Sequence, residues 1–203
     1  MKSSRKRIFF NNCALYVSKD VYEPAEDTFL LAENLTVNED DVVLDMGTGC
    51  GILGIIAAKR AKNVIAVDSN PHAVRCARIN AKVNKVTDKM DIRLGDLFHP
   101  IQRNERFSLI LFNAPYLPSN PDEEKTWIGR AWAGGPTGRQ LIDRFLVEAT
   151  RYLSENSRIL LVQSSLSDVN ETLHKFREAG LKVRILAEKK VMFETIALIE
   201  ARR

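Results

Sequence analysis

The stretch that most constrains this chain runs from Asp41 to Asn80, "DVVLDMGTGCGILGIIAAKRAKNVIAVDSNPHAVRCARIN". It reads as an apolar strand, a glycine-rich turn, a helix, a second apolar strand ending at Asp68, and a second helix opened by Pro71 at its first turn. Strands apolar on both faces, joined through helices, are satisfied in a parallel sheet covered on both sides. The alternation continues through "KMDIRLGD", "RFSLILFN", the helical "GRQLIDRFLVEATRYL", "SRILLVQ" and a helix over 169–179. An opening helix is expected in "EPAEDTFLLAENL", and Leu141, Phe145, Ala149 and Tyr152 are expected to line the buried face of the later helix. "LKVRILAEKK" and "FETIALIEARR" have no helix between them and should pair as an antiparallel hairpin. The expected fold is α/β, with a seven-stranded, mostly parallel sheet and an antiparallel C-terminal strand. The long connection "LPSNPDEEKTWIGRAWAGGPT" is expected to be without regular structure and, at that length, functional.

At 203 residues the expectation is one domain, with residues 1–22 as an N-terminal arm and 23–203 as the core. No apolar run approaches the roughly 18 residues that would span a bilayer, so no membrane role is expected. "MKSSRKRIFF" is basic but leads into no apolar stretch with a cleavage site, which points to the cytoplasm. Cys13, Cys50 and Cys76 show no zinc spacing and read as buried thiols; His72, His99 and His174 lie far apart and read as surface or cap residues. No metal is expected. A net charge of +4 permits a polyanionic partner without requiring one, and "KSSRKR" reads as a frayed arm before a nucleic-acid clamp.

Gly47, Gly49 and Gly51 let the backbone after the first sheet strand turn tightly against a ligand, beside the N–H groups of a helix start. "GCGILG" also fits the dinucleotide pattern, with Asp68 placed for ribose hydroxyls. Asp45, two residues before Gly47, separates the readings. A carboxylate there repels a pyrophosphate, whereas S-adenosylmethionine carries an ammonium and a sulfonium and no phosphate. Asp96 in "RLGDLF" can accept from an adenine amino group, with Leu97 flanking the ring. Each aspartate alone also serves as a strand-end cap; three at successive strand ends favour a ligand site.

"LILFNAPYLP" ends a buried strand on Asn113, Ala114, Pro115 and Tyr116. The lone pair of a planar amide or exocyclic amine is delocalised, so methylating it requires the nitrogen to be held in line and its N–H groups to be accepted. An asparagine oxygen and the following backbone carbonyl meet that need. Pro115 stiffens the turn and Tyr116 offers a surface to a flat target.

On these residues the chain resembles class I S-adenosylmethionine-dependent methyltransferases with the amino-methyltransferase motif, usually N-P-P-Y. More specifically it resembles the archaeal and eukaryotic branch of HemK-like glutamine N5-methyltransferases, through "VYEPAEDTFLLAENL", "LDMGTGCG", "VDSNPHAVRCARIN", "GDL", "FNAPYLP" and "WAGGPTGRQLIDRFL". The resemblance implies a Rossmann-like single domain and S-adenosylmethionine held by Thr28, Asp45, Gly47, Gly49, Gly51, Asp68, Asp96, Leu97 and Asn113. It also implies that Asn113, Ala114, Pro115 and Tyr116 hold the glutamine amide of the Gly-Gly-Gln loop of a peptide chain release factor. A small zinc-binding activator protein is implied as a partner. Ala114 departs from the family's first proline, keeping the carbonyl and losing a φ restraint. Two other readings remain open at this point: an N6-adenine or N2-guanine methyltransferase acting on DNA or RNA, and a cofactor-binding module that has lost catalysis.

Overall fold

The computed structural model describes residues 6–203. Seven strands form one sheet: β3 (Val42–Met46), β4 (Asn63–Asp68), β5 (Met90–Leu94), β6 (Phe107–Asn113), β7 (Leu153–Ser164), β8 (Lys182–Lys190) and β9 (Thr195–Arg202), in the order β5-β4-β3-β6-β7-β9-β8. Its β3, β4, β5, β6 and β7 pair in parallel, and β9 runs antiparallel to both β7 and β8. The α/β expectation therefore holds, including the reversed C-terminal strand. In space that strand is not the rim: β9 lies between β7 and β8, because the tight hairpin returns the chain inward to pair with β7. The central strands are apolar on both faces, with Val43, Leu44, Leu109, Ile110 and Leu111 fully buried.

The crossover helices are α1 (Glu26–Glu33), α2 (Ile52–Ala58), α3 (Pro71–Val83), α5 (Gln140–Ala149) and α6 (Val169–Glu178). Asn70 caps α3 by accepting from the His72 N–H, and Pro71 takes the first turn, as its lost N–H costs nothing there. The buried face of α5 is centred on Ile142, Phe145 and Ala149; Leu141 and Tyr152 are half-buried. The stripe expected from spacing thus includes Phe145 and Ala149 but misses Ile142. Phe145 stacks on Phe98 and packs at a tilt against Phe112, and those contacts set the helix rotation.

The N-terminal region differs from a frayed arm. Residues β1 (Lys6–Phe10) and β2 (Cys13–Val17) form an antiparallel hairpin, turned by Asn11 and Asn12 at positive φ. Cys13, Leu15 and Val17 alternate into the core. Asn80 and Asn84, one turn apart on α3, pair their carboxamides with the Tyr16 and Ala14 backbone at 2.8–3.1 Å, taking the place of a neighbouring strand. Residues 2–5 of "KSSRKR" lie outside the described residues. The connection after Tyr116 also has structure of its own: a short helix α4 (Trp127–Arg130), capped by Thr126, and a bridge between Leu117 and Ala133. Among the described residues, no helix is long and apolar enough to cross a membrane.

Candidate active site

The chain proceeds outward from β3 to β5 on one side and then crosses to β6 on the other. The sheet order reverses between β3 and β6, and such a switch point leaves a crevice at the strands' carboxyl ends. A cavity of about 440 Å³ opens there. Thr28, Gly47, Gly49, Asp68, Asp96, Leu97, Asn113, Ala114, Pro115 and Tyr116 all line it, although they come from four separate strand ends and a helix. Its charged lining consists of Asp27, Asp68, Asp96 and Arg130. Three carboxylates against one guanidinium suit a ligand carrying positive charge and hydroxyls, and repel a pyrophosphate. A Cβ on Gly49, whose φ is +56°, would project into open space beside the turn; glycine keeps that approach clear and tolerates the left-handed backbone.

Two expected residues stand elsewhere. Asp45 is fully buried behind the glycine turn, outside the cavity lining, where its Oδ2 accepts from Thr48 Oγ1 (2.5 Å) and Gly54 N (2.9 Å). Burial pushes its pKa up to about 7 against those two donors, so it braces the turn from behind. Gly51 is also outside the lining; its missing Cβ would meet Ala77 at 3.1 Å, so it allows α2 to pack on α3.

Asp68 accepts from Gly49 N and Asn70 N, both at 2.8 Å, which fastens the glycine turn to the end of β4. Burial raises its pKa and these bonds oppose the rise. Asp96, half-exposed, pairs with Arg144 of α5 at 2.5 Å. Leu97 holds a positive φ of 46°, which turns it into the cavity wall.

The acceptor end is organised by a residue that sequence reasoning passed over. Asp27, buried in the first turn of α1, accepts from Tyr22 Oη (3.2 Å), Tyr116 Oη (3.2 Å), Asn113 Nδ2 (3.1 Å) and Thr28 N (2.6 Å). A carboxylate only accepts, so the Asn113 atom beside it must be the nitrogen. The opposite atom, Asn113 Oδ1, is thereby turned away and is buried without a partner among the described residues. Burial first, and then the Asp27 charge, push the Tyr22 and Tyr116 phenols far up, so both remain protonated donors. An unsatisfied amide oxygen on a braced side chain in a cavity wall is able to accept an N–H from a ligand. The signal for Asp27 was present in "EPAEDT", but an acidic residue in a first helical turn also serves the helix dipole alone. Trp127, Arg130 and Trp132, from the structured connection, complete the wall. The Arg130 guanidinium lies 4.9 Å over the Trp127 ring.

Comparison with known proteins agrees with this geometry. The methyltransferase small domain model matches residues 11–129. A Methanocaldococcus jannaschii protein assigned as a protein N5-glutamine methyltransferase, MJ0928, is 41% identical over 93% of this chain and 95% of its own. Human methyltransferase HEMK2 is 31% identical over 89% of each chain. Among solved structures, the E. cuniculi Mtq2-Trm112 complex, responsible for methylation of the eRF1 translation termination factor, superimposes with a TM-score of 0.66. That chain is 27% identical, with 91% of this chain and 99% of the other covered. The chain therefore belongs to the methyltransferase small domain family and, within it, to the HemK-like glutamine N5-methyltransferases.

Proposed function

We propose that this protein transfers a methyl group from S-adenosylmethionine to the side-chain amide nitrogen of a glutamine in a peptide chain release factor. The observation that carries the reading is Asn113 Oδ1, buried and unpartnered because Asp27 holds the amide's other end. S-adenosylmethionine supplies an electrophilic methyl group on a sulfonium. Asn113 Oδ1 and the Ala114 carbonyl accept the two N–H groups of the target amide, which fixes its nitrogen in line and stabilises the positive charge that develops as the N–CH3 bond forms and the donor's S–CH3 bond breaks, with one amide proton released to water. Tyr116 and Pro115 flank the flat amide. Asp68 would take the donor's ribose hydroxyls, Asp96 and Leu97 its adenine, and Gly47 and Gly49 its methionine end, and Thr28, whose Oγ1 accepts from Asn113 Nδ2 at 3.1 Å, would also contact it. Asp45 acts from behind the turn. The cavity's carboxylates favour this donor over a dinucleotide.

The same proposal includes an activator subunit. The E. cuniculi relative is a complex with Trm112, and the small zinc-binding partner implied by the sequence resemblance belongs to that picture. The catalytic core takes in the β1–β2 hairpin and Tyr22 as well as residues 23–203, and the cytoplasm, where release factors act, is the site of work. The test is incubation with labelled methyl donor and either a release factor, with and without the activator, or total RNA and DNA. Label on a Gly-Gly-Gln glutamine, lost on the order of a hundredfold in Asn113→Ala, supports the reading. Label confined to nucleic acid refutes it.

A further inference from the structure

Four buried side-chain oxygens lack a hydrogen-bond partner among the described residues: Asp45 Oδ1, Asn113 Oδ1, Gln163 Oε1 and Glu194 Oε2. The first lies behind the glycine turn, and the second is the acceptor already described. Gln163 is fully buried, its Nε2 tied to the Ser167 carbonyl. Glu194 differs in being partly exposed as a residue although its Oε2 is covered, and it lies outside the cavity lining, in the turn between β8 and β9 that is closed by Val191 N donating to Glu194 O at 3.0 Å. Thr195 N donates to Ser165 Oγ at 3.0 Å, pinning the start of β9 to the end of β7. Since Ile196 pairs with Ser164 and Asn113 with Val162, this turn is at the same end of the sheet as Asn113. An ion pair between Lys189 and Glu26 ties the hairpin to the first turn of α1, next to Asp27. The Glu194 charge adds to burial and Asp27 in raising both the Tyr22 and Tyr116 phenols, as expected of a carboxylate near the acceptor end.

We infer that Glu194 is a substrate-positioning residue whose Oε2 accepts a backbone N–H from the polypeptide segment carrying the target glutamine. This rests on the protein-glutamine reading above. A side chain can reach Asn113 only if its own backbone comes down to the cavity mouth, where main-chain N–H groups lose water and need acceptors. An unpartnered carboxylate oxygen is a strong acceptor held ready for one of them. The adjoining Met192 and Phe193, each 86% exposed at the tip of the same turn, offer apolar surface to the flanking residues. Glu194 and Asp27 together repel a phosphate backbone, which favours polypeptide over nucleic acid.

The test uses wild type, Glu194→Ala and Glu194→Gln, each together with the activator subunit, with labelled methyl donor and a peptide containing Gly-Gly-Gln. The alanine form should raise KM for the peptide about tenfold or more, as for a lost hydrogen bond to a charged group. The glutamine form keeps an acceptor oxygen and should stay within about threefold. Cofactor affinity by calorimetry and melting temperature should not move in either. Unchanged KM in Glu194→Ala overturns the inference and leaves the proposed function standing. Equal impairment in both variants overturns it in favour of pairing with a substrate cation, and a parallel loss of cofactor affinity or melting temperature overturns it in favour of a structural role. Wild type that methylates no glutamine defeats the proposed function itself, and the inference with it.

Discussion

Replacing Asp27 by Asn keeps the size of the side chain and removes the charge on which five donors converge, the Thr28 hydroxyl among them. The carboxylate compels Asn113 to present its nitrogen inward and Oδ1 to the cavity; an amide at position 27 can donate as well as accept, and that compulsion disappears. Asn113 can then turn over and offer the target nitrogen a donor where it needs an acceptor. A hydrogen bond to a charged group is worth about 1.5–3 kcal/mol, and each 1.36 kcal/mol of transition-state stabilisation is tenfold in rate. Loss of the single bond to Asn113 therefore predicts a fall in turnover of roughly ten- to a hundredfold. Tyr116→Phe, which removes one donor and leaves the Asn113 contact, should cost less. Single-turnover methyl transfer to a release factor measures the rate, and calorimetry measures cofactor affinity on the same preparations. Asp27→Asn at the wild-type rate would refute the reasoning, as would a loss wholly explained by weaker cofactor binding.

Asp68→Ala should weaken S-adenosylmethionine binding by about 1.5–3 kcal/mol, since the carboxylate both faces the cavity and fastens Gly49; unchanged calorimetric affinity would reduce it to a strand cap. Asp45, with a folded pKa near 7 and an ordinary value of 3.8, binds a proton in the native state that the unfolded chain has released over that interval. Wild-type stability relative to Asp45→Asn should therefore fall as pH rises from 3.8 to about 7 and be level on either side; parallel urea-denaturation profiles of the ligand-free proteins would contradict this. Gly138 has φ +73°, and a Cβ there would stand 2.3 Å from the Tyr116 carbonyl oxygen. Gly138→Ala should cost about 1–3 kcal/mol in stability and displace the acceptor turn, read by chemical denaturation and turnover together. Ala114→Pro should preserve or raise turnover, because the strand-terminal Asn113 already has the extended geometry that a following proline favours; a large rate loss would mean that the Ala114 turn differs from that of its relatives.

The features legible in the sequence are those that depend on near neighbours. Apolar runs, Pro71 after Asn70 and the glycine turn each carry a local physical demand that the chain meets in only a few ways, so the elements and their class follow from them. Asn113 was legible for a related reason: a polar side chain ending the apolar run 109–112 has no packing role to fill. Asp96 and Leu97 were legible in "RLGDLF", resemblance added Thr28, and the cavity lining includes all three.

What only the tertiary structure decided is which way those groups face and what holds them. Asp27 and Asn113 are 86 positions apart and Asp27 and Tyr116 are 89 apart, and no local period reports a hydrogen bond between them. Glu194 reaches the same end of the sheet only because β9 folds back between β7 and β8. Asn80 and Asn84 read as ordinary helix residues until a hairpin 64 and 70 positions away supplies backbone for their amides. Asp45 has the spacing of a ligand and is turned instead toward Thr48 and Gly54. Sequence determines periodicity and turn geometry because those arise within a few bonds; the side on which a carboxylate is satisfied depends on which distant donors the fold brings within about 3 Å of it.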